Sequence, residues 1–402
     1  MTTKRKKYNP KKYRFIYAVL RAIAFPFTRL VLGYRCKDKF KIKSGEPVVI
    51  LSNHQTDADP FCVLTAFKGP AMPIATDNIF SGKFRARLFS FLGAIPKKKG
   101  VSDIRTVAKM KKVIDGGGSI LLFPEGNRTF CEFQFYISDS LVKLLKNFKA
   151  TVVLFNLHGG TGRSPRFKNK SRKGKFYGEI KRVIKSEEYS ALTDEEFADV
   201  IKTELRVFDS EEGNPYKSER RAEYLERVFF VCPSCKRVQT LFSKGSRLSC
   251  SACGVEAEYT EYLRFKTADA RFPFTKMIEF WNFQKRFVSE MPIKSGEIVF
   301  ADKNVKVISS DPYKKRRLLY RGDISLDSEY LYYGNDKFDL KKIEIASVVS
   351  GRNLVFTSDG NDYTLRGDKR FNALKYAFIF NKLDTLMKRK GTDKYFNLEE
   401  DG

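Results

Sequence analysis

The sequence predicts an α/β fold: a mixed sheet flanked by helices, preceded by an amphipathic helical segment and followed by a metal-binding ribbon and a small β-barrel. Three observations predict it. Apolar runs alternate with helical patterns over residues 47–157, two cysteine pairs lie within 232–253, and short β-rich runs begin at about 296. Strands that alternate with helices form sheets with substantial parallel pairing. With 402 residues, of which 42% are hydrophobic, the chain is long enough for two or three packed domains.

The sheet is predicted from four apolar runs, at 47–51, 71–75, 119–123 and 151–157. Helical patterns lie near 60–67, 84–92, 102–115 and 137–148, and a capping box at Thr193 and Glu196 opens one more helix. Active residues of such sheets lie in loops beyond the carboxyl ends of strands. We therefore expect functional residues in the polar loops that follow these runs.

The loop after the first run, residues 52–60, reads SNHQTDADP. His54 is one of two histidines in the chain, and an imidazole suits proton removal from an alcohol near neutral pH. Asp59 can bond the second ring nitrogen if the chain turns at a helix start, which would fix the tautomer and stabilise the imidazolium. The pair is a candidate base and its partner.

The loop after the third run, residues 123–129, reads FPEGNRT. Arg128 offers a rigid fork of donors that matches phosphate oxygens. Glu125 is expected to orient that arginine or to bond a substrate hydroxyl. Lys97, Lys98 and Lys99 follow another predicted strand and would add positive field. This loop is a candidate phosphate site.

Both loops resemble blocks of the glycerolipid acyltransferase family, which includes the 1-acylglycerol-3-phosphate acyltransferases. NHQTDADP resembles the family's NHxxxxD block and FPEGNRT its FPEGxRS block. GAIPKKKG, at 93–100, stands at the intermediate block, with Lys99 where an arginine is common, and TVVLFNLHGG lacks the proline usual in the fourth block. The resemblance spans about 15–210. It implies His54 as general base, Asp59 as its partner, and substrate binding by Glu125, Gly126, Arg128 and Lys99.

The resemblance also implies an activity. It predicts transfer of a fatty acyl group from acyl-CoA or acyl-carrier protein to the free hydroxyl of 1-acylglycerol-3-phosphate, which would make phosphatidic acid. Since no G-x-S-x-G nucleophile motif is present, we expect direct attack on the thioester without an acyl-enzyme. Another lysophospholipid or an aminolipid is the alternative acceptor. No redox cofactor is expected.

A formal net charge of +29 predicts an anionic partner, either a membrane surface or nucleic acid. Residues 1–40 favour the membrane: Arg14, Arg21, Arg29 and Arg35 fall on one third of a helical wheel whose remainder is apolar, and Pro26 should kink it. Such a segment lies in a membrane interface with its arginines reaching phosphates, or docks on its own domain. No uninterrupted transmembrane run or signal peptide is recognisable. We expect a peripheral or monotopic protein on the cytoplasmic face of the cell membrane.

The cysteine pairs predict a structural zinc site. Two CxxC pairs separated by 14 residues, with four thiolates and no open position, are typical of a zinc ribbon rather than of redox dithiols. Because zinc ribbons also occur in nucleic-acid-binding proteins, that class is the rival hypothesis; the absence of an aromatic stacking platform disfavours it. The predicted ligands are Cys232, Cys235, Cys250 and Cys253.

The C-terminal β block resembles the pleckstrin-homology-like fold in strand count and final helix, at 371–388. The basic residues 314–317 would contact lipid head groups there or form a solvated hairpin tip. The predicted organisation is a basic membrane-surface segment (1–40), an acyltransferase domain (41–213), a zinc ribbon with flanking helices (214–295), a PH-like β domain (296–390) and a tail (391–402).

Overall fold

The computed structural model describes residues 9–76, 80, 83–97, 104–132, 139–168, 170–309, 316–349 and 351–386. The chain forms two compact units. The first comprises 1–129, 133–163 and 174–212, and the second comprises 130–132, 164–173 and 213–402. The finer domain boundaries expected from the sequence stay predictions.

The first unit is built on a mixed sheet. Its strands in chain order are β1 (Tyr34–Cys36), β2 (Phe40–Lys41), β3 (Val48–Ser52), β4 (Phe67–Lys68), β5 (Ala71–Thr76), β6 (Ile95–Lys97), β7 (Ser119–Leu122), β8 (Thr151–His158) and β9 (Phe176–Ile184). In the described residues, seven of them pair in the order β1-β9-β8-β3-β7-β5-β6, while β2 pairs with β4. Every pair in the large sheet is parallel except β8 with β9. The predicted mixed sheet is confirmed.

Helices cover both faces of this sheet. They are α1 (Pro10–Pro26), α2 (Asp59–Ala66), α3 (Lys83–Phe91), α4 (Ile104–Asp115), α5 (Asp139–Phe148), α6 (Gly160–Arg163), α7 (Ser186–Ser190) and α8 (Asp194–Leu205). Val49 and Leu51 of the central strand β3 pack in a core with α4, α5 and α8. Val48 and Ile50 pack in a second core with α2. Burial on both faces explains why β3 reads as a continuous apolar run.

The first helix begins with Pro10 in its first turn and the Asn9 side chain accepting a hydrogen bond from the backbone of Lys12. Its α-helical part ends at Pro26, and the chain continues as a π-helical turn, Phe27–Val31. Proline removes a backbone donor, which accounts for the irregularity that follows. None of the helices in the described ranges is long and apolar enough to cross a bilayer.

The second unit begins with a four-stranded antiparallel sheet in the described chain. Its strands are β10 (Leu241–Lys244), β11 (Arg247–Cys250), β12 (Glu256–Tyr259) and β13 (Phe265–Lys266), and α9 (Met277–Glu290) follows. The only tryptophan, Trp281, is buried on α9 and stacks on Phe130, with ring centroids 5.9 Å apart. This helix lies in the range 214–295, where the sequence predicts helices that flank the ribbon.

A curled antiparallel sheet ends the second unit. Its strands are β14 (Phe300–Ser309), β15 (Arg317–Leu326), β16 (Tyr330–Tyr333), β17 (Asp336–Asp339), β18 (Ile343–Val349), β19 (Asn353–Ser358) and β20 (Asn361–Arg366), and α10 (Leu374–Leu386) contacts β18 and β19. Asp359 and Gly360 form the two-residue turn between β19 and β20, with φ of 49° and 72°. Positive φ at both positions is typical of a type I′ hairpin turn. The predicted C-terminal β block with a final helix is confirmed, and its sheet is a curled half-barrel.

Candidate active site

The two polar loops meet at one edge of the sheet because their strands are parallel neighbours, with Ile50 of β3 opposite Leu121 of β7. The backbone N–H of Thr129 donates to the carbonyl of His54 at 3.1 Å. In return, the backbone N–H of His54 donates to Oε1 of Glu125 at 3.2 Å. The loops 52–60 and 123–129 therefore form one site.

The imidazole of His54 is held by Asp59. Asp59 is the first residue of α2, and the turn before it brings Nδ1 of His54 to 2.8 Å from Oδ2 of Asp59. That oxygen also accepts the backbone N–H groups of Gln55 at 2.6 Å and Thr56 at 2.8 Å, while the Thr56 hydroxyl donates to Oδ1. Four donors thus fix a fully buried carboxylate. In the tautomer whose protonated Nδ1 donates to the Asp59 carboxylate, the lone pair of His54 lies on Nε2.

The imidazole of His54 is partly exposed, whereas the carboxylate of Asp59 is enclosed. The His54 side chain is 21% exposed and that of Asp59 is 0% exposed. The imidazole also stacks on Phe123, with centroids 4.4 Å apart and planes at 27°. A buried acceptor behind a partly open imidazole is the arrangement that a general base requires.

The second loop places its charged groups differently. Glu125 is buried against the backbone of His54, so it stabilises the first loop. Nε of Arg128 lies 3.2 Å from Oδ1 of Asp57, whose side chain is 89% exposed while that of Arg128 is 12% exposed. Gly126 takes a φ of 66°, which favours glycine in this turn. Lys99, the other predicted phosphate ligand, lies outside the described residues.

An open apolar cavity lies beside the pair. Pro60 and Phe61, which directly follow Asp59, form part of its wall. Tyr17 and Leu20 of α1 and Leu92 line it as well. The wall of the cavity is therefore apolar and begins one residue beyond Asp59.

Sequence reasoning missed the residues behind the pair. Thr56, three residues before Asp59, has the spacing of a helix-start turn and could have been identified from it. Gln55 and Asp209 could not, because they are 154 positions apart in the chain and meet only in the fold, where the Gln55 amide donates to Asp209.

His158, at the end of β8, belongs to a separate cluster. Its Nδ1 contacts Glu212, its Nε2 lies 3.2 Å from Glu179, and its ring stacks on Tyr177 with centroids 4.5 Å apart. Burial is the main cause that raises the pKa of Tyr177 to about 12, and Glu212 adds to it. These contacts hold the His158 side chain in place.

The contacts of α1 correct the expectation that all the arginines of this segment face outward. Arg21 does not reach outward: its Nη1 donates to the carbonyl of Phe67 at 3.1 Å, since burial of Ile16 and Tyr17 docks the helix on its own unit. Ile23 of α1 and Leu30 of the π-helical turn that follows it are 64% and 80% exposed. An apolar surface of this kind is typical of an interaction face.

The four predicted zinc ligands come together in the second unit. All four Sγ atoms lie within 4.8 Å of one another. Cys232 and Cys253 are 3.6 Å apart, and Cys235 and Cys250 are 3.8 Å apart. Thiolates at about 2.3 Å from a tetrahedral zinc ion are separated by about 3.8 Å, so the cluster fits zinc. Gly254, with a φ of 75°, forms the tight turn after the second pair.

Residues 34–155 match the model of a protein family described as Acyltransferase. A similar solved structure is that of PlsC, the 1-acyl-sn-glycerophosphate (LPA) acyltransferase of Thermotoga maritima. The two chains are 15% identical, the similarity covers 48% of this chain and 80% of that one, and the TM-score is 0.42. No curated protein matches the sequence. The matched range includes both loops of the candidate site.

Proposed function

We propose that the acyltransferase domain at residues 34–155 transfers a fatty acyl group from a thioester to the free hydroxyl of 1-acylglycerol-3-phosphate. The observation that carries the proposal is the 2.8 Å bond between His54 and buried Asp59, beside the loop of Arg128. The donor is acyl-CoA or acyl-carrier protein, and the product is phosphatidic acid.

In this proposal His54 works as a general base. The acceptor hydroxyl gives its proton to Nε2 while its oxygen attacks the thioester carbonyl carbon. Collapse of the tetrahedral intermediate breaks the C–S bond, and the imidazolium returns the proton to the leaving thiolate. Asp59 stabilises the imidazolium between these two events. No enzyme–acyl bond forms, so one base serves both proton transfers.

Arg128 is the proposed ligand of the acceptor phosphate. Its guanidinium already holds a carboxylate oxygen of Asp57, so the position suits an anion. Asp57 is exposed on the surface and can give way to a phosphate. Gly126 and Lys99 complete the predicted phosphate site.

The first unit has one apolar surface suited to the acyl chain and another suited to a membrane. The apolar cavity walled by Pro60 and Phe61 suits a fatty chain, since burying each methylene contributes about 0.8 kcal/mol. We propose that the exposed apolar residues of α1 and of the π-helical turn after it, among them Ile23 and Leu30, rest in the interface of an anionic bilayer. The protein would then act as a peripheral or monotopic enzyme on the cytoplasmic face of the cell membrane.

We also propose that zinc occupies the cluster of Cys232, Cys235, Cys250 and Cys253. Four thiolates leave no position for substrate, so the ion stabilises the ribbon and takes no part in acyl transfer.

The test is an acyl-transfer assay with labelled acyl thioester and three acceptors: 1-acylglycerol-3-phosphate, a zwitterionic lysophospholipid and neutral monoacylglycerol. We expect the phosphate acceptor to be preferred. Arg128→Lys should raise KM for that acceptor by about tenfold, because the forked contact is lost, and leave monoacylglycerol unchanged. If an aminolipid or another lysolipid is preferred, that lipid is the acceptor in place of 1-acylglycerol-3-phosphate. If no lipid is acylated, the proposal is rejected.

A further inference from the structure

A buried carboxylate lies behind the site loop, in a part of the chain beyond the family match. Asp209 is 1% exposed and starts the short 3-10 helix Asp209–Glu211, which follows α8. Its Oδ1 accepts the side-chain amide of Gln55 at 3.3 Å and the backbone N–H of Gly159 at 2.6 Å. Its Oδ2 accepts the backbone N–H of Gly162 at 3.2 Å.

Gln55 connects this carboxylate to the catalytic pair. Its backbone N–H donates to Oδ2 of Asp59 at 2.6 Å, the shortest of that oxygen's three bonds. Its side chain is held at both ends, because Oε1 accepts the N–H of Gly160 at 2.8 Å while Nε2 donates to Asp209. Gln55 is 4% exposed, so water does not replace these bonds. A shift of the Gln55 side chain would therefore move a donor of Asp59.

The backbone around the Gln55 amide is fitted closely. A Cβ atom on Gly160 would lie 2.6 Å from Oε1 of Gln55. The turn after β8 thus approaches the loop that carries His54 as near as a glycine allows. Asp209 bonds the glycines on either side of this position, 159 and 162, and so sets the place of the turn.

We infer that Asp209 is a positioning residue for the His54–Asp59 pair and acts through the side chain of Gln55. A buried carboxylate is costly even when hydrogen-bonded, and a neutral group would serve packing as well. Small displacements of a base lower the rate steeply. A buried carboxylate that fixes the site loop therefore has a catalytic benefit that offsets its cost in stability. The inference rests on the proposed acyl transfer, since it concerns the same site.

The electrostatics agree with the geometry. Burial raises the pKa of Asp209 to about 6, although the bonds from Gly159, Gly162 and Gln55 favour the charged form. Nearby Glu212 raises it as well. The protonation of Asp209 therefore changes in the range where an imidazole base changes its own charge.

The experiment is a double-mutant cycle on the full chain, measured as kcat and KM in the acyl-transfer assay. Asp209→Asn and Gln55→Ala should each lower kcat by about 10- to 100-fold with little change in KM. Because Asp209 acts through Gln55, Asp209→Asn should add less than about twofold in the Gln55→Ala background. Asp38→Asn is the matched control: that carboxylate accepts the N–H of Ile180 in the same unit and has no contact with the pair.

Additive losses in the cycle, or equal losses in the control, would assign Asp209 a general structural role and overturn the inference. A second variant covers failure of Asp209→Asn to fold. Gln55→Glu places two carboxylates about 3.3 Å apart, which favours a shared proton, so its kcat relative to wild type should rise as pH falls from 8 to 6. A pH-independent ratio would also contradict the inference. An inactive wild-type protein would instead reject the proposed function.

Discussion

At the scale of single residues, the buried carboxyl of Asp209 should make the free energy of unfolding depend on pH. Its pKa is 3.8 ordinarily and about 6 in the fold. Because the folded value is the higher one, the stability from Asp209 is fully present below pH 3.8 and is lost as pH rises through 6. The difference corresponds to about 3 kcal/mol.

We therefore expect the free energy of unfolding of wild type, relative to Asp209→Asn, to fall by up to about 3 kcal/mol between pH 4 and 7. Urea unfolding at several pH values measures it. Asp38→Asn is the control. If the difference in unfolding free energy between wild type and Asp209→Asn does not change over this pH range, burial does not raise the pKa of Asp209.

Individual site residues were predictable where the contacts are local. His54 and Asp59 are five positions apart, and a turn at a helix start is enough to join them. Glu125 was recognised as a site residue, yet its bond to the backbone of His54 was not foreseen. The contact between Gln55 and Asp209 was not predicted, because only the packing of α8 against the sheet at β8 brings the two residues together.

At the scale of elements, α1 combines a docked side with an exposed one. If the exposed side rests on a bilayer, Ile23→Asp and Leu30→Asp should weaken binding to anionic vesicles by about tenfold each, since an apolar side chain leaves the interface. Vesicle co-sedimentation measures this. Folding should be unaffected, because both side chains lie outside the core.

Ile104→Asp is the matched control for this element. Ile104 is 83% exposed at the start of α4 in the same unit, so the change adds the same charge elsewhere. Equal loss of vesicle binding in this control would point to net charge alone. Unchanged binding of the two α1 variants would remove α1 from the membrane contact.

The cysteine cluster is the second element with a direct test. We expect about one zinc ion per chain by mass spectrometry, and Cys250→Ser or a strong chelator should remove it and destabilise the ribbon by more than about 3 kcal/mol. Cys36→Ser, a change of a half-buried thiol outside the cluster, should keep the zinc. Reversible disulfides within the cluster and no bound zinc would favour the redox alternative.

Most elements could be predicted because their signals are periodic and local. Val48–Ser52 reads as a continuous apolar run since it is buried on both faces, and Thr193 with Glu196 caps α8 as its sequence predicts. A kink at Pro26 was predicted, but not that the chain would continue as a π-helical turn, because the pattern after the proline reads as an ordinary helix.

For the whole molecule, the sequence predicted the type of each part better than how the parts are divided. The mixed sheet and the curled β block were both expected. The division into two units is not indicated by the sequence. Residues 130–132 and 164–173 belong with the second unit, although the chain around them builds the first. Such excursions depend on long-range packing, which periodicity does not encode.

The net charge of +29 also belongs to the whole chain. A charge of this size raises the local concentration of anionic partners, and its effect is screened by salt. The charge alone does not distinguish a membrane from nucleic acid. The proposed function favours a membrane, because an apolar cavity and a histidine base suit a lipid substrate.

The central claim is that His54 activates the acceptor hydroxyl for direct attack. The most direct measurement is thiol release from an acyl thioester with and without 1-acylglycerol-3-phosphate, in wild type and His54→Ala. The account predicts release only when acceptor is present, reduced by at least about a thousandfold in His54→Ala. A stoichiometric burst of thiol without acceptor, or release that His54→Ala leaves unchanged, would contradict it.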